Sequence, residues 1–166
     1  YVYDKFKSWG PAIFIGYNSM RFDEEILRSS FFQSLHDPYL TNTNKNLRTD
    51  LFKIILGLVA LDNTIIKIPI TEKTKKPSFK LELIANENGI EHIKAHDALS
   101  DVYATIDVAK IIREKAPDYW DECMKTISPR GLIEYIDTND FFYAAPEHGA
   151  ANITYKPISF LTSNPN

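Results

Sequence analysis

The stretch FIGYNSMRFDEEIL, residues 14–27, decides the fold of this chain. It continues an apolar run, AIFIGY at 12–17, bounded by Gly10-Pro11 before it and Asn18 after it. That length and those flanks predict a short buried strand. Five residues after Asn18 comes Asp23, followed by Glu24 and Glu25. Ile26, Leu27, Phe31 and Leu35 then share one helical face, which predicts a helix from Asp23 to about Leu35. Its first turn carries three acids, where the helix dipole favours negative charge. A carboxylate cluster directly behind a buried strand calls for a reason beyond the dipole.

Outward from this stretch the chain alternates in the same way. Val2, Phe6 and Trp9 fall at helical spacing, so the chain begins inside a helix. HDPYLTNTNKN, residues 36–46, is a loop. Asp50 to Leu61 is a second helix whose buried stripe is Leu51, Ile54, Ile55, Leu58 and Val59. Residues 62–78 form a long polar connection with Pro69, Pro77 and four lysines, and connections of that length are often functional. SFKLELIANENGI, residues 78–90, reads as a third helix with Ser78 as N-cap and Gly89 just past its end. Asp97 to about Lys115 is the strongest helix, lined by Leu99, Val102, Ile106, Ala109 and Ile112 and closed by Pro117. After residue 118 the texture changes. PDYWDECMKTI is a short helix, and GLIEYIDTNDFFYAAPEHGAANITYKPISFLT holds short β-prone pieces between turn residues. A domain boundary is expected there, giving domains 1–118 and 119–166. One buried strand set among amphipathic helices is an α/β layer structure.

Composition narrows the classes. The chain has 166 residues, 44% hydrophobic and 25% charged, enough to bury a core and too apolar for disorder. A net charge of −3 neither requires nor excludes a nucleic-acid partner, because an acidic site can sit beside a local basic groove. Cys123 is the one cysteine, so no intrachain disulfide forms, and a reducing cytoplasmic compartment is the default expectation. No apolar run approaches the roughly 18 residues of a membrane span. The absence of an opening methionine and the ending in LTSNPN read as an excerpt of a longer protein.

Two clusters carry chemistry. The first is Asn18 with Asp23; the second is HDALSD, in which His96 precedes Asp101 by five residues. One helical turn rises about 5.4 Å, so an imidazole just before the long helix and a carboxylate one turn inside it address a common point. Each residue alone has an ordinary reading: a dipole-stabilising acid for Asp23, a cap or surface group for His96. Asp101 is less ordinary, because it lies beside the apolar stripe, where a charge needs a partner or a metal.

Taken together, GYNSMRFDEE and PSFKLELIANENGIEHIKAHDALSDVYATIDVAKII resemble the bacterial exodeoxyribonuclease I family, DEDDh exonucleases of RNase H-like fold. Asn-x4-Asp matches that family's second motif and His-x-Ala-x-x-Asp its third, over about Pro11 to Lys115. The resemblance implies a 3′-to-5′ exonuclease that degrades single-stranded DNA to nucleoside monophosphates in repair and recombination. It implies two Mg²⁺ ions, for which Mn²⁺ can substitute, about 3.5–4 Å apart. Asp23 and Asp101 are then metal ligands, converging on one centre, and His96 is the general base. Asp23 and Glu25 form an Asp-x-Glu that superficially matches the first motif, but this pair opens a helix whereas that motif sits on a strand. The first motif is therefore expected before Tyr1, which makes the exonuclease domain N-terminally truncated and this excerpt inactive alone. The tail after 118 resembles the start of the family's SH3-like β-rich domain. The implied partners are single-stranded DNA and the single-strand-binding protein, with no membrane and a monomeric enzyme.

Further positions carry lesser expectations. Lys76 and Lys80, with Lys73 and Lys75, surround PSF and are placed to face phosphates, or else form a solvated loop. Phe22 and Phe79 either stack on bases or belong to the core. Asn18 positions the strand end or the scissile nucleotide, and Asp50 caps its helix. Two other readings stand beside the leading one. A related DEDDh exonuclease acting on RNA differs only in contacts to the 2′ position. A catalytically inactive single-stranded DNA-binding fragment would have no need of Asp23, His96 and Asp101.

Overall fold

The structure, a computed structural model, describes residues 1–90, 97–144 and 156–159. It divides into two compact units, Tyr1–Lys53 and Ile54–Asn166.

The first unit is a βα arrangement built on a parallel strand pair. Helix α1 spans Val2–Trp9, strand β1 Ile13–Gly16, helix α2 Asp23–Gln33 and strand β2 Leu47–Asp50. A 3₁₀ turn at Leu40–Asn42 lies between α2 and β2. Strand β2 is absent from the sequence reading, which leaves 47–49 unassigned. It pairs in parallel with β1 in the register Ile13↔Leu47, Phe14↔Arg48, Ile15↔Thr49 and Gly16↔Asp50. Asn46 sets that register. Its buried amide accepts from Ala12 N–H at 3.0 Å and donates to the Leu40 carbonyl at 2.7 Å, while Leu47 N–H reaches the Ala12 carbonyl.

Burial in this unit corrects several expectations. The pleat sends alternate side chains to opposite faces, and only the Phe14 face of β1 is covered, by Phe6 of α1 stacked at 5.3 Å. Ile13 and Ile15 on the other face are exposed, so β1 is not the fully buried strand its apolar run predicts. Helix α1 packs through Tyr3 and Phe6 against Phe31, and Val2 and Trp9 stay exposed. Tyr3 also stacks on His36 at 4.2 Å. On α2 the buried residues are Glu24 and Phe31, whereas Ile26 is exposed and Leu35 is 94% exposed. Leu35 lies beyond the helix: it takes φ 57°, and the N–H groups of Leu35 and His36 close on the carbonyls of Phe32 and Phe31. This is the paired closure that ends many helices.

The second unit is helical. Helix α3 spans Leu51–Leu61, so it begins in the first unit. Leu51, Ile54, Ile55 and Leu58 of its expected stripe are buried. Helices α4 (Leu81–Glu87), α5 (Ala98–Lys115), α6 (Pro117–Thr126) and α7 (Pro129–Thr138) follow. Helix α4 starts three residues after Ser78. That serine is not a cap; its N–H joins the Pro69 carbonyl at 2.8 Å. Gly89 ends α4 at φ 76° as its position predicts, with Ile90 N–H on the Ala85 carbonyl. Asn88 clamps the preceding connection by accepting from Lys67 N–H at 3.0 Å and donating to the Lys67 carbonyl at 2.8 Å.

Helix α5 is capped by Asp97, which accepts from Ser100 N–H. Its buried residues are Ala104, Val108 and Ile112, so the stripe is rotated from the one expected, and Leu99, Val102 and Ile106 are exposed. Gly57 admits Tyr119 of α6 to the α3 backbone, where the hydroxyl donates to the Ile54 carbonyl at 2.7 Å. Beyond α6 the β-prone reading holds at β3 (Phe142–Ala144) and β4 (Lys156–Ile158), an antiparallel pair. GLIEYIDT instead forms the body of α7, capped by Ser128 on Gly131 N–H. Its apolar residues satisfy helical spacing as readily as alternation.

Candidate metal and nucleic-acid site

The carboxyl ends of β1 and β2 lie side by side, with Gly16 paired to Asp50. The ends of parallel strands are where α/β sheets bind ligands. At this edge the chain turns through Asn18, at φ 53°, a left-handed conformation that Asn tolerates better than most residues. The turn is tied down from β2. Asp50 is 3% exposed and its carboxylate accepts from Asn18 N–H at 2.7 Å, Met20 N–H at 3.3 Å and Phe52 N–H at 3.0 Å. Only the last is the helix cap that its sequence position predicts. Burial, and then the Asp50 charge, push the Tyr17 hydroxyl above its ordinary value of 10.0.

Asp23 opens α2 immediately beyond this turn. Its side chain is exposed, and among the described residues no side chain pairs with it. Phe22 precedes it at 67% exposure, open to stacking. Glu24 follows and points the other way. It is 6% exposed, and its Oε2 accepts from Arg48 at 2.7 Å and from the Thr41 hydroxyl at 2.8 Å. Of the three acids that open α2, one is thus a buried strut and the other two, Asp23 and Glu25, face solvent. Glu25 pairs with Arg28 at 2.9 Å. Asp23 is left as the acid whose oxygens are available, and carboxylate oxygens suit hard divalent ions.

The second unit holds the remaining described candidates. Residues 70–77 form a narrow hairpin closed by an Ile70–Pro77 bridge. Thr71 organises its tip through its N–H and hydroxyl on the Lys76 carbonyl. Lys73, Lys75 and Lys76 are exposed on it. Lys80, also exposed, lies 3.9 Å from Glu82. Phe79 is 7% exposed and belongs to the core with Ile66 and Ile84, which removes it from base stacking. Asp101 is half-buried in the first turn of α5. It shares a face with Ala104, Thr105 and Val108, and the Thr105 hydroxyl donates to its carbonyl at 2.8 Å. His96 lies outside the described residues. Among the described residues no three metal-binding side chains cluster, and Asp23 and Asp101 belong to different units.

Sequence reasoning missed the two supports of the β1–α2 junction, Asp50 and the Glu24–Arg48 pair. A first-turn acid and a residue opening a helix have adequate local explanations. Only the parallel pairing of β2 shows what they touch.

No family model matches the chain. It is 41% identical over 159 residues to exodeoxyribonuclease I of Buchnera aphidicola subsp. Schizaphis graminum, covering 92% of this chain and 33% of that protein. It superposes on the structure of E. coli exonuclease I in complex with a 5cy-dT13 oligonucleotide with a TM-score of 0.78 and 30% identity, covering 99% of this chain and 35% of that one. The zinc-ion-bound E. coli exonuclease I–single-stranded DNA complex matches with a TM-score of 0.73 and 34% identity, over 86% and 31% of the two chains. The chain spans about a third of the length of the curated relatives it matches.

Proposed function

Because the chain belongs to the exodeoxyribonuclease I family, we propose that it is part of a 3′-to-5′ exonuclease that hydrolyses single-stranded DNA with divalent metal ions. The observation that carries this reading is Asp23, an exposed carboxylate without a described partner, set at the carboxyl edge of a parallel strand pair. Asp23 and Asp101 hold the metal, Mg²⁺ by preference, with Mn²⁺ as a substitute; both offer the hard oxygen donors such ions require. When bound, the ions acidify a water and neutralise charge at the phosphorus. His96 would serve as the general base that takes a proton from the attacking water. Asn18 and Phe22 meet the terminal nucleotide, and the lysines of the 70–77 hairpin, with Lys80, meet phosphates. Residues 1–118 belong to the exonuclease domain and 119–166 begin an SH3-like one. DNA repair and the single-strand-binding protein are its setting, in the cytoplasm.

The test uses the complete protein carrying this chain and a labelled single-stranded oligonucleotide. Asp23→Asn should abolish metal-dependent nucleotide release. His96→Ala should slow turnover by about 10²–10⁴-fold while DNA binding is retained, with partial recovery at high pH. Full activity in both variants at neutral pH would reject the reading.

A further inference from the structure

The two chain segments that flank Asp23 are both fastened to β2. On its N-terminal side, Asp50 holds the backbone of residues 18 and 20; on its C-terminal side, Arg48 holds the carboxylate of Glu24. Capping α3 needs only the Phe52 bond. The bonds to Asn18 and Met20 span 32 and 30 residues and do nothing for that helix. They instead fix a turn whose Asn18 stands at φ 53° and which hands the chain directly to Asp23. Three N–H donors converge on both carboxylate oxygens, Asn18 and Phe52 on Oδ1 and Met20 on Oδ2. Asparagine has a single acceptor oxygen, so an amide of the same shape cannot satisfy all three.

We propose that Asp50 is a positioning residue for the metal-binding carboxylate of Asp23. It locks the strand-to-helix turn so that this exposed carboxylate is presented to a divalent ion in one orientation. This rests on the reading of Asp23 as a metal ligand. An unrestrained turn would let the carboxylate sample several placements, and a ligand held loosely binds a reluctantly dehydrating ion weakly.

The test compares Asp50→Asn with the unaltered complete protein. Mn²⁺ binding, followed by electron paramagnetic resonance without DNA, should weaken by about 10–100-fold, as for other groups that orient metal ligands. The Mg²⁺ concentration for half-maximal activity should rise by the same factor, with KM for the oligonucleotide unchanged and kcat regained at high metal. In the metal-free protein, the amides of Asn18 and Met20 should exchange hydrogen faster. Leu40→Ala, a core change in the same unit, should lower Tm without moving Mn²⁺ affinity. If Asp50→Asn folds poorly, Asp50→Glu, which keeps the charge but displaces its oxygens, is read the same way. Unaltered Mn²⁺ affinity in a folded Asp50 variant would overturn the proposal, as would an equal loss in Leu40→Ala. Intact Mn²⁺ binding in Asp23→Asn would instead remove the metal-ligand reading on which it rests.

Discussion

Replacing Glu24 by methionine tests whether α2 is held by a buried ion pair or only by its apolar face. The substitution keeps length and removes the charge. It leaves the Arg48 guanidinium, 2.7 Å away, and the Thr41 hydroxyl, 2.8 Å away, without their shared acceptor. Breaking a buried pair from one side costs about 3–5 kcal/mol, mostly because the surviving charge stays desolvated. Arg48 keeps 16% exposure and can turn partly toward water, which favours the lower end. Orphaning the buried Thr41 hydroxyl adds about 1 kcal/mol. A loss of about 3–4 kcal/mol is therefore expected, little altered by added salt because the pair is screened by protein rather than by ions. Urea denaturation of the complete protein gives the value. The double variant Glu24→Met/Arg48→Met should recover most of it, since apolar side chains can replace a buried pair at little cost. A single-variant loss below about 1 kcal/mol, or a double variant as unstable as the sum of the singles, would refute the reasoning.

Gly57→Ala should lower stability by about 1–2 kcal/mol, the strain of an added methyl exceeding the gain in helix propensity. The Cβ would meet the Tyr119 hydroxyl, so Tyr119→Phe should relieve the strain in thermal melts of the pair of variants. Tyr17 has a raised hydroxyl pKa in the fold, so its neutral form stabilises the fold fully below about pH 10 and that contribution is lost as pH rises through the folded value. Melts between pH 9 and 12 should show Tyr17→Phe losing less stability than the unaltered protein over that range. Burial raises the Cys123 thiol as well. Iodoacetamide at pH 8 should label it more slowly than glutathione, since the thiolate is the nucleophile; labelling at the free-thiol rate would contradict its placement.

Local pattern alone determined a good part of this protein. The α3 stripe of Leu51, Ile54, Ile55 and Leu58, the closure of α4 at Gly89 and the extent of α5 are each written within a few residues, because helical period and chain-end geometry are short-range properties. The Asn18–Asp23 spacing was legible for the same reason, and it led to the family that the similar proteins bear out. The buried face of α5 was not legible: Leu99, Val102 and Ile106 make a fair stripe on paper, but neighbouring helices decide which side is covered, and they cover Ala104, Val108 and Ile112. Nor was β2, whose four residues LRTD have no strand-like run and extend only because β1 offers them a hydrogen-bonding edge. The sharpest division falls within a single turn of helix. Asp23 and Glu24 are adjacent acids of like charge, and nothing local separates them. Arg48, 24 residues along the chain from Glu24, draws that acid inward, and Asp50 fixes the turn ahead of it. The sequence determined that carboxylates stand behind this strand. Only the tertiary structure decided which is a buried strut and which stays exposed to solvent.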